Sequence, residues 1–326
     1  RRLRRGRSSA STGRSTPPVY PGRSVFAALG LAAILVLTAC EESARTSGFV
    51  IASAAVLDGQ GGEYRIANVY VDGDTIVAIR EDEPPAGVEV VDGFGYVLAP
   101  GFIDTHSHAD RDIGRLPDAL AAVSQGITTV VVGQDGASPF PLGRFFADVE
   151  ANPPTVNVAS YVGHGTIRRE VMGDDFRRVA TDDEIGQMTE LVTEGMRAGA
   201  LGLSTGLEYD PGIHADLAEL LALAREAKAW GGRYASHLRS EDRGFWDAVR
   251  ELVEIGRRAD IPVHISHIKL AMVENWGDVD SLVARLEDAR SAGIEVSADI
   301  YPYPFWQSTM TVMFPERDFT DRRAAE

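Results

Sequence analysis

Hydrophobic and polar positions fall into three successive patterns along this 326-residue chain. Ser24 to Ala39 form one uncharged, mostly apolar stretch. From Phe49 to Gly95 apolar and polar residues alternate in short runs. These predict strands over 49–57, 67–72, 75–80 and 88–91. Turn residues separate them, as in Asp58-Gly-Gln-Gly-Gly62 and Asp72-Gly-Asp74, so a small antiparallel sheet is expected. From residue 102 onward a short apolar run is followed by helical spacing, again and again. The runs predict strands over 102–107, 128–133, 156–163, 200–205, 233–238, 262–268 and 295–301. Helices fill the gaps. Thr181-Asp-Asp-Glu184 has the form of a capping box and opens a helix that stops before Gly199. Ala215–Trp230 ends at Gly231-Gly232, and Asp280–Ala292 ends at Gly293.

Seven strand-then-helix units in a row predict an α/β fold, a (β/α)8 TIM-like barrel. A doubly wound open sheet is the structural rival, but no G-x-G-x-x-G phosphate loop follows the first strand. The barrel needs an eighth strand, and no further strand pattern occurs in Phe314-Pro-Glu-Arg-Asp-Phe-Thr-Asp-Arg-Arg323. The expectation is an incomplete barrel over 101–326, preceded by a small β domain over 49–100.

Charge divides the chain again. Residues 1–23 carry seven arginines and no acid, and 24–40 carry no charge. Everything after Cys40 therefore holds 25 basic and 48 acidic residues. So acidic a body argues against nucleic acid as a partner, because phosphate binding needs a basic face. Cys40 is the sole cysteine, which excludes an intramolecular disulfide and a cysteine-rich zinc site. It closes the apolar stretch as Leu37-Thr-Ala-Cys40, which resembles a bacterial lipoprotein box. Basic residues precede the stretch, and at about 16 residues it is short for a span of roughly 20. Residues 1–40 are expected to be a targeting segment, 41–48 a tether, and Cys40 the lipidated residue of an exported, membrane-anchored protein. An ordinary signal peptide or an uncleaved anchor is the alternative.

The chemistry resides in the histidines. His106 and His108 close the first strand run in Leu98-Ala-Pro-Gly-Phe-Ile-Asp-Thr-His-Ser-His108. On a strand, residues i and i+2 face the same side, so two imidazoles aim at one point. His237 and His267 each lie near the end of a later strand, and a parallel barrel gathers all carboxyl ends at one mouth. The second strand leads into Gly133-Gln-Asp-Gly136, which sets Asp135 at the same rim. Four imidazoles and a carboxylate suit one Zn²⁺, or two with the carboxylate bridging. Such an ion lowers the pKa of water from near 16 to about 7 and polarises a carbonyl. The alternative for Asp135 is a residue that shapes the turn before Gly136. His164 follows the third strand, where a substrate-facing place competes with a supporting one. His214 and His264 read as structural, Asp104 as a strand-end hydrogen-bond partner, and Asp299 as a weak candidate for an acid.

Gly101-Phe-Ile-Asp-Thr-His-Ser-His108 resembles the first-strand signature of the amidohydrolase superfamily. Gly126-Ile-Thr-Thr-Val-Val-Val-Gly133, Gly163-His-Gly-Thr-Ile-Arg168, Gly199-Ala-Leu-Gly-Leu-Ser-Thr-Gly-Leu-Glu-Tyr209, Tyr234-Ala-Ser-His-Leu-Arg-Ser-Glu241 and Ile265-Ser-His-Ile-Lys269 are similar to its D-aminoacylase branch, N-acyl-D-amino-acid deacylases. The resemblance implies a metal-bearing barrel with a small β-sandwich, of which 49–100 is the first part. It implies His106, His108, His237 and His267 as ligands, with Asp135 where the family often has cysteine. Tyr209 and Lys269 would contact the substrate's carboxylate, and His164 is kept as a third substrate contact. The substrate would be an N-acyl-D-amino acid or a small dipeptide with a D-residue, with no nucleic acid involved. The general-base aspartate would sit at the end of strand eight, outside this sequence, so this stretch alone is expected to be inactive. A cyclic-amide hydrolase of the dihydroorotase or hydantoinase type is disfavoured, because Ala200-Leu-Gly-Leu-Ser-Thr205 lacks the lysine such relatives carry on strand four. A catalytically inactive surface lipoprotein that binds metal or peptide is the reading from another class.

Overall fold

The structure is a computed structural model that describes residues 48–313. The expected targeting segment, with Cys40, and most of the expected tether therefore lie outside the described residues. Two compact units divide the chain. Among the described residues, one takes in those up to Ala52 together with Asn68–Asp92, and the other holds Ser53–Ala67 and those from Gly93. The stretch 53–67 goes with the larger unit.

The first strands are β1 (Phe49–Val56), β2 (Arg65–Asp72), β3 (Thr75–Arg80), β4 (Glu89–Asp92) and β5 (Val97–Leu98). They form one sheet in the order β3-β2-β1-β4, with β5 also on β1. The turn at Asp72-Gly73-Asp74 joins β2 to β3 as an antiparallel hairpin. The expected all-antiparallel sheet is not what forms, since β4 and β5 both run parallel to β1. No tight turn joins either of them to β1, so nothing local fixes an antiparallel sense.

Beyond this sheet the chain alternates strand and helix. The strands are β6 (Phe102–Asp104), β7 (Ile127–Val132), β8 (Asn157–Ser160), β9 (Val162–Gly163), β10 (Gly202–Gly206), β11 (Arg233–His237), β12 (Val263–Ile265) and β13 (Val296–Ala298). The helices are α1 (Leu120–Val123), α2 (Leu142–Ala151), α3 (His164–Met172), α4 (Asp182–Arg197), α5 (Leu217–Ala229), α6 (Phe245–Ala259) and α7 (Val279–Ser291). Pairing follows sequence order, β6-β7-β8 and then β9-β10-β11-β12-β13, and every pair is parallel. Seven strand positions are thus filled in barrel order. The third is interrupted at Tyr161 and counts as β8 plus β9. Five of the seven expected strands were too long at their carboxyl ends; the third ends at 163 as expected and the fourth runs one residue further, to Gly206. The first stops at Asp104, whose carboxylate accepts the His106 backbone N–H at 3.2 Å.

Side-chain alternation sorts these strands into two faces. Leu203, Tyr234, Val263 and Val296 stand in register on neighbouring strands and pack with the helices in the main core. The positions between them point the other way. Ala235 packs with Val131 and Tyr161 in a small separate cluster, and His237 shares its face. The capping box at α4 is present. Thr181 Oγ1 accepts from the Glu184 N–H at 3.3 Å, and Glu184 Oε2 accepts from the Thr181 N–H at 2.8 Å.

The main core makes a direct expectation. Leu220 of α5 has no exposed surface within it. Leu220→Ala should lower the free energy of unfolding by about 2–5 kcal/mol through lost transfer energy and a residual cavity. Leu116→Ala, at a site 58 % exposed, should change it by no more than about 0.5 kcal/mol. Urea unfolding of the two variants checks both, and similar losses would contradict this account of the core.

Candidate metal centre

Five side chains from the carboxyl ends of strands converge. Asp135 lies just past β7, His237 ends β11, and His267 lies just past β12. His106 and His108 lie in the loop beyond β6 rather than on the strand, yet both still reach the same carboxylate. Asp135 Oδ2 is 3.3 Å from His106 Nε2 and 3.3 Å from His108 Nε2, while its Oδ1 is 3.4 Å from His267 Nε2. His237 Nδ1 lies 3.0 Å from His267 Nε2. Ring centroids are 4.9 Å apart for His106 and His267, and 4.6 Å for His237 and His267. His108 is the outermost ring, with its side chain 38 % exposed against 13 % for His106.

Local backbone geometry sets this up. Asp135 and His267 both adopt positive φ, 55° and 36°. Such conformations cost non-glycine residues on the order of 1–3 kcal/mol and cluster at functional sites. They turn two side chains that follow parallel strands back over the sheet's carboxyl edge. Gly206 makes room for the turn, because a Cβ there would collide with the Asp135 carbonyl and lie 2.6 Å from the Tyr209 hydroxyl.

Tyr209 and Lys269 belong to the same cluster. The Tyr209 hydroxyl donates to the Asp135 carbonyl at 3.3 Å, and its ring centroid is 4.9 Å from that of His237. Lys269 Nζ donates to Glu241 Oε1 at 2.5 Å and sits 3.1 Å from His267 Nδ1. His164 does not join them. Its Nε2 meets Glu219 Oε1 at 2.7 Å, Arg168 pairs with the same carboxylate, and none of the three side chains has exposed surface. The substrate contact expected of His164 is therefore corrected. It opens α3 inside the helix layer, where the buried Glu219 claims its ring.

Three carboxylates stand behind the cluster, two of which were not anticipated from the sequence. Glu208 Oε2 is 3.1 Å from His237 Nε2, and Glu241 Oε1 is 2.8 Å from His267 Nδ1. Asp299 Oδ2 is 3.3 Å from His106 Nδ1 and 2.7 Å from His264 Nε2. Asp299 Oδ1 accepts the His267 backbone N–H at 2.6 Å. Asp299 thus has both oxygens committed, which is unlike a free acid. His264 lies one position deeper, its Nδ1 2.8 Å from Ser297 Oγ. The available signal was the period of two. Glu208 and Glu241 follow the ends of β10 and β11 within the same stretches that carry Tyr209 and His237.

Charge and burial act against each other here. Burial pushes Asp135 up, but the imidazoles of His106, His108 and His267 beside it hold it well below the usual carboxylate range. Burial disfavours the charged form of His106, yet Asp135 and Asp299 push its pKa up to about 10. His267 is raised by Asp135 and Glu241 against the same burial. Burial also opposes ionisation of Glu241, and His267, His237 and Lys269 still bring it down to about 2. Tyr209 is raised well above its ordinary value, first by burial and then by the surrounding carboxylates.

The donor set fits a divalent ion. His106, Asp135 and His267 can offer one ligand atom each within 4.8 Å of one another, and so can His237, Glu241 and His267. Asp135 Oδ1 is buried without a hydrogen bond, which a cation would satisfy. Glu241 is already engaged by Lys269, so the first group is the better cage. Cavity size does not locate this chemistry. A cavity of about 960 Å³ is lined by Ala248, Val253, Arg257, Arg285, Ala289 and Ile294, and none of the histidines lines it.

Comparison with known proteins places these residues in context. A family model described as "Amidohydrolase family" matches residues 89–323. N-acyl-D-glutamate deacylase of Alcaligenes xylosoxydans xylosoxydans is 38 % identical over 290 residues, covering 82 % of this chain and 59 % of that protein. D-aminoacylase of the same organism is 39 % identical over 277 residues, covering 78 % and 57 %. Among solved structures, N-acyl-D-glutamate deacylase from Bordetella bronchiseptica, complexed with zinc and a phosphonate inhibitor, superposes with a TM-score of 0.75. It is 38 % identical and is matched over 78 % of this chain and 58 % of that one. The chain thus spans a little under three-fifths of the length of the relatives it matches. With the matched region running from before β6 to beyond β13, and the histidines seated as described, the chain belongs to the amidohydrolase family.

Proposed function

We propose that this protein is a metal-dependent hydrolase of non-peptide or D-residue amides, acting on N-acyl-D-amino acids and using one or two zinc ions. The observation that carries the reading is the convergence of His106, His108 and His267 on the Asp135 carboxylate, with His237 against His267 and the buried Asp135 Oδ1 without a hydrogen bond. Relatives at 38–39 % identity named as N-acyl-D-glutamate deacylase and D-aminoacylase support the substrate class. When bound, a divalent ion supplies the Lewis acidity that makes water a nucleophile at neutral pH and polarises an amide carbonyl.

The chain's own residues account for the rest. Lys269 has three N–H donors. One engages Glu241, so another is free to meet the substrate's carboxylate at the edge of the cluster. Tyr209 closes one side of the Asp135 turn and presents a neutral phenol there, because burial and nearby carboxylates disfavour its ionisation. His108, as the most exposed ring, lies on the side open to substrate.

Elemental analysis of the protein should find zinc. A panel of N-acetyl-D-amino acids should be cleaved while their L-enantiomers are left intact. His237→Ala should lose zinc and acylase activity together. Retention of zinc in that variant, or equal turnover of L-substrates, would sink the corresponding part of the reading.

Zinc must compete with protons. In the metal-free protein His106 keeps its proton at neutral pH, since its folded pKa lies near 10, and His267 is raised as well. Binding should therefore release protons, and apparent zinc affinity should strengthen as pH rises toward about 10. Calorimetry in buffers of different ionisation enthalpy measures this; binding without proton release would contradict it.

We also infer that the protein is exported and held at a membrane by lipid on Cys40. The support is the uncharged stretch 24–39, the arginines before it and the Leu37-Thr-Ala-Cys40 ending. Among the described residues no helix is long and apolar enough to cross a membrane. The mature protein should show a lipid mass on Cys40 and partition into detergent. An unmodified Cys40 in material recovered from the native host would refute the anchor.

A further inference from the structure

The rings that face the centre are backed by carboxylates in a consistent way. We propose that Glu208, Glu241 and Asp299 are positioning residues, each taking the N–H of one histidine and so committing that ring's other nitrogen to the metal. The proposal rests on the metal-centre reading above. A neutral imidazole has one donor nitrogen and one lone pair, and only the lone pair binds a cation. Left alone, a ring populates both tautomers and swings about χ2. A carboxylate, which accepts and does not donate, fixes both choices at once.

The three pairings leave the right nitrogens over. His237 gives Nε2 to Glu208, which leaves Nδ1. His267 Nδ1 lies 2.8 Å from Glu241 Oε1 and 3.1 Å from Lys269 Nζ; a cation at Nε2 requires the proton on Nδ1, where Glu241 is the partner that can accept it. His106 gives Nδ1 to Asp299, which leaves Nε2. Those remaining nitrogens are the ones nearest each other and Asp135: His237 Nδ1 to His267 Nε2 at 3.0 Å, His267 Nε2 to Asp135 Oδ1 at 3.4 Å, and His106 Nε2 to Asp135 Oδ2 at 3.3 Å. In the metal-free protein the 3.0 Å contact between His237 and His267 is a hydrogen bond, so a cation there takes the place of the proton between the two rings. His237 would thus bind through Nδ1, while His106 and His267 bind through Nε2.

Each carboxylate is itself held. Lys269 grips Glu241 at 2.5 Å, and the Glu241 backbone N–H donates to Glu208 Oε1 at 3.3 Å. Asp299 is the most committed. Besides His106 it accepts from His264 Nε2 and from the backbone N–H of His267, so it holds one ring and the left-handed backbone of another ligand together. Removing it should loosen two ligands, whereas removing Glu208 should loosen one.

The test measures zinc affinity of the full chain by competition with a chromophoric chelator, in wild type, Glu208→Gln, Glu241→Gln, Asp299→Asn and Asp299→Ala. Circular dichroism checks that each variant is folded. Each substitution should weaken zinc binding about 10–100-fold, with Asp299→Ala weakest. In the zinc-loaded wild type, ¹⁵N imidazole spectra should report His237 bound through Nδ1 and His106 and His267 through Nε2. Glu208→Gln should erode the His237 assignment alone, which a general loss of stability would not do. Should a variant fail to fold, the wild-type tautomer pattern still decides. Wild type that binds zinc with variants unchanged within twofold, or with His237 bound through Nε2, overturns this proposal alone. Wild type that takes up no zinc overturns the metal reading and this proposal with it.

Discussion

The carboxylate of Asp135 is the point on which the site depends. Three imidazoles contact it directly and a fourth packs against one of those three, delivered by three different parts of the chain. Burying a charge is unfavourable unless it is paired. Here the carboxylate meets ring nitrogens on both oxygens, and its ionised form is strongly favoured in spite of burial. The same pairing brings a cost elsewhere. Asp135 and His267 must hold left-handed backbone conformations, and the structure supplies a glycine at 206 and an acceptor at Asp299 to sustain them.

Parallel strands explain why such an arrangement is available. Every strand from β6 onward runs the same way, so every carboxyl end opens on one edge. The outward face carries the apolar load, with Leu203, Tyr234, Val263 and Val296 packed in register beneath the helices. Stability therefore does not rest on the inward face, which is released for polar groups at its upper rim. The His164–Glu219–Arg168 group shows the other use of buried charge. Its members are wholly enclosed and bonded to one another, and Arg168 also donates to the Phe176 carbonyl at 3.1 Å. That network ties the layer after β9 to α5.

Much of this was legible in the order of residues. Apolar periodicity located seven strand positions to within a few residues, and the Thr181–Glu184 box marked the start of α4 because both partners of a cap lie three residues apart. Local rules were less informative where tertiary pairing decides. They implied an antiparallel first sheet, whereas β4 and β5 return parallel to β1 through longer connections. They also carried the first strand to residue 107, although Asp104 bonds the His106 N–H and ends it earlier.

The sequence by itself determined which residues lie at carboxyl ends of strands, because a period of two and a terminating turn are properties of a few consecutive residues. His106, His108, Asp135, His237 and His267 were named on that ground. Only the tertiary structure decided which side chains meet. His164 has the same local setting as the others and yet turns to Glu219, while Glu208, Glu241 and Asp299 gain their places solely through partners on neighbouring strands. Distances between distant parts of a chain are fixed by packing, and packing is not written in any single stretch.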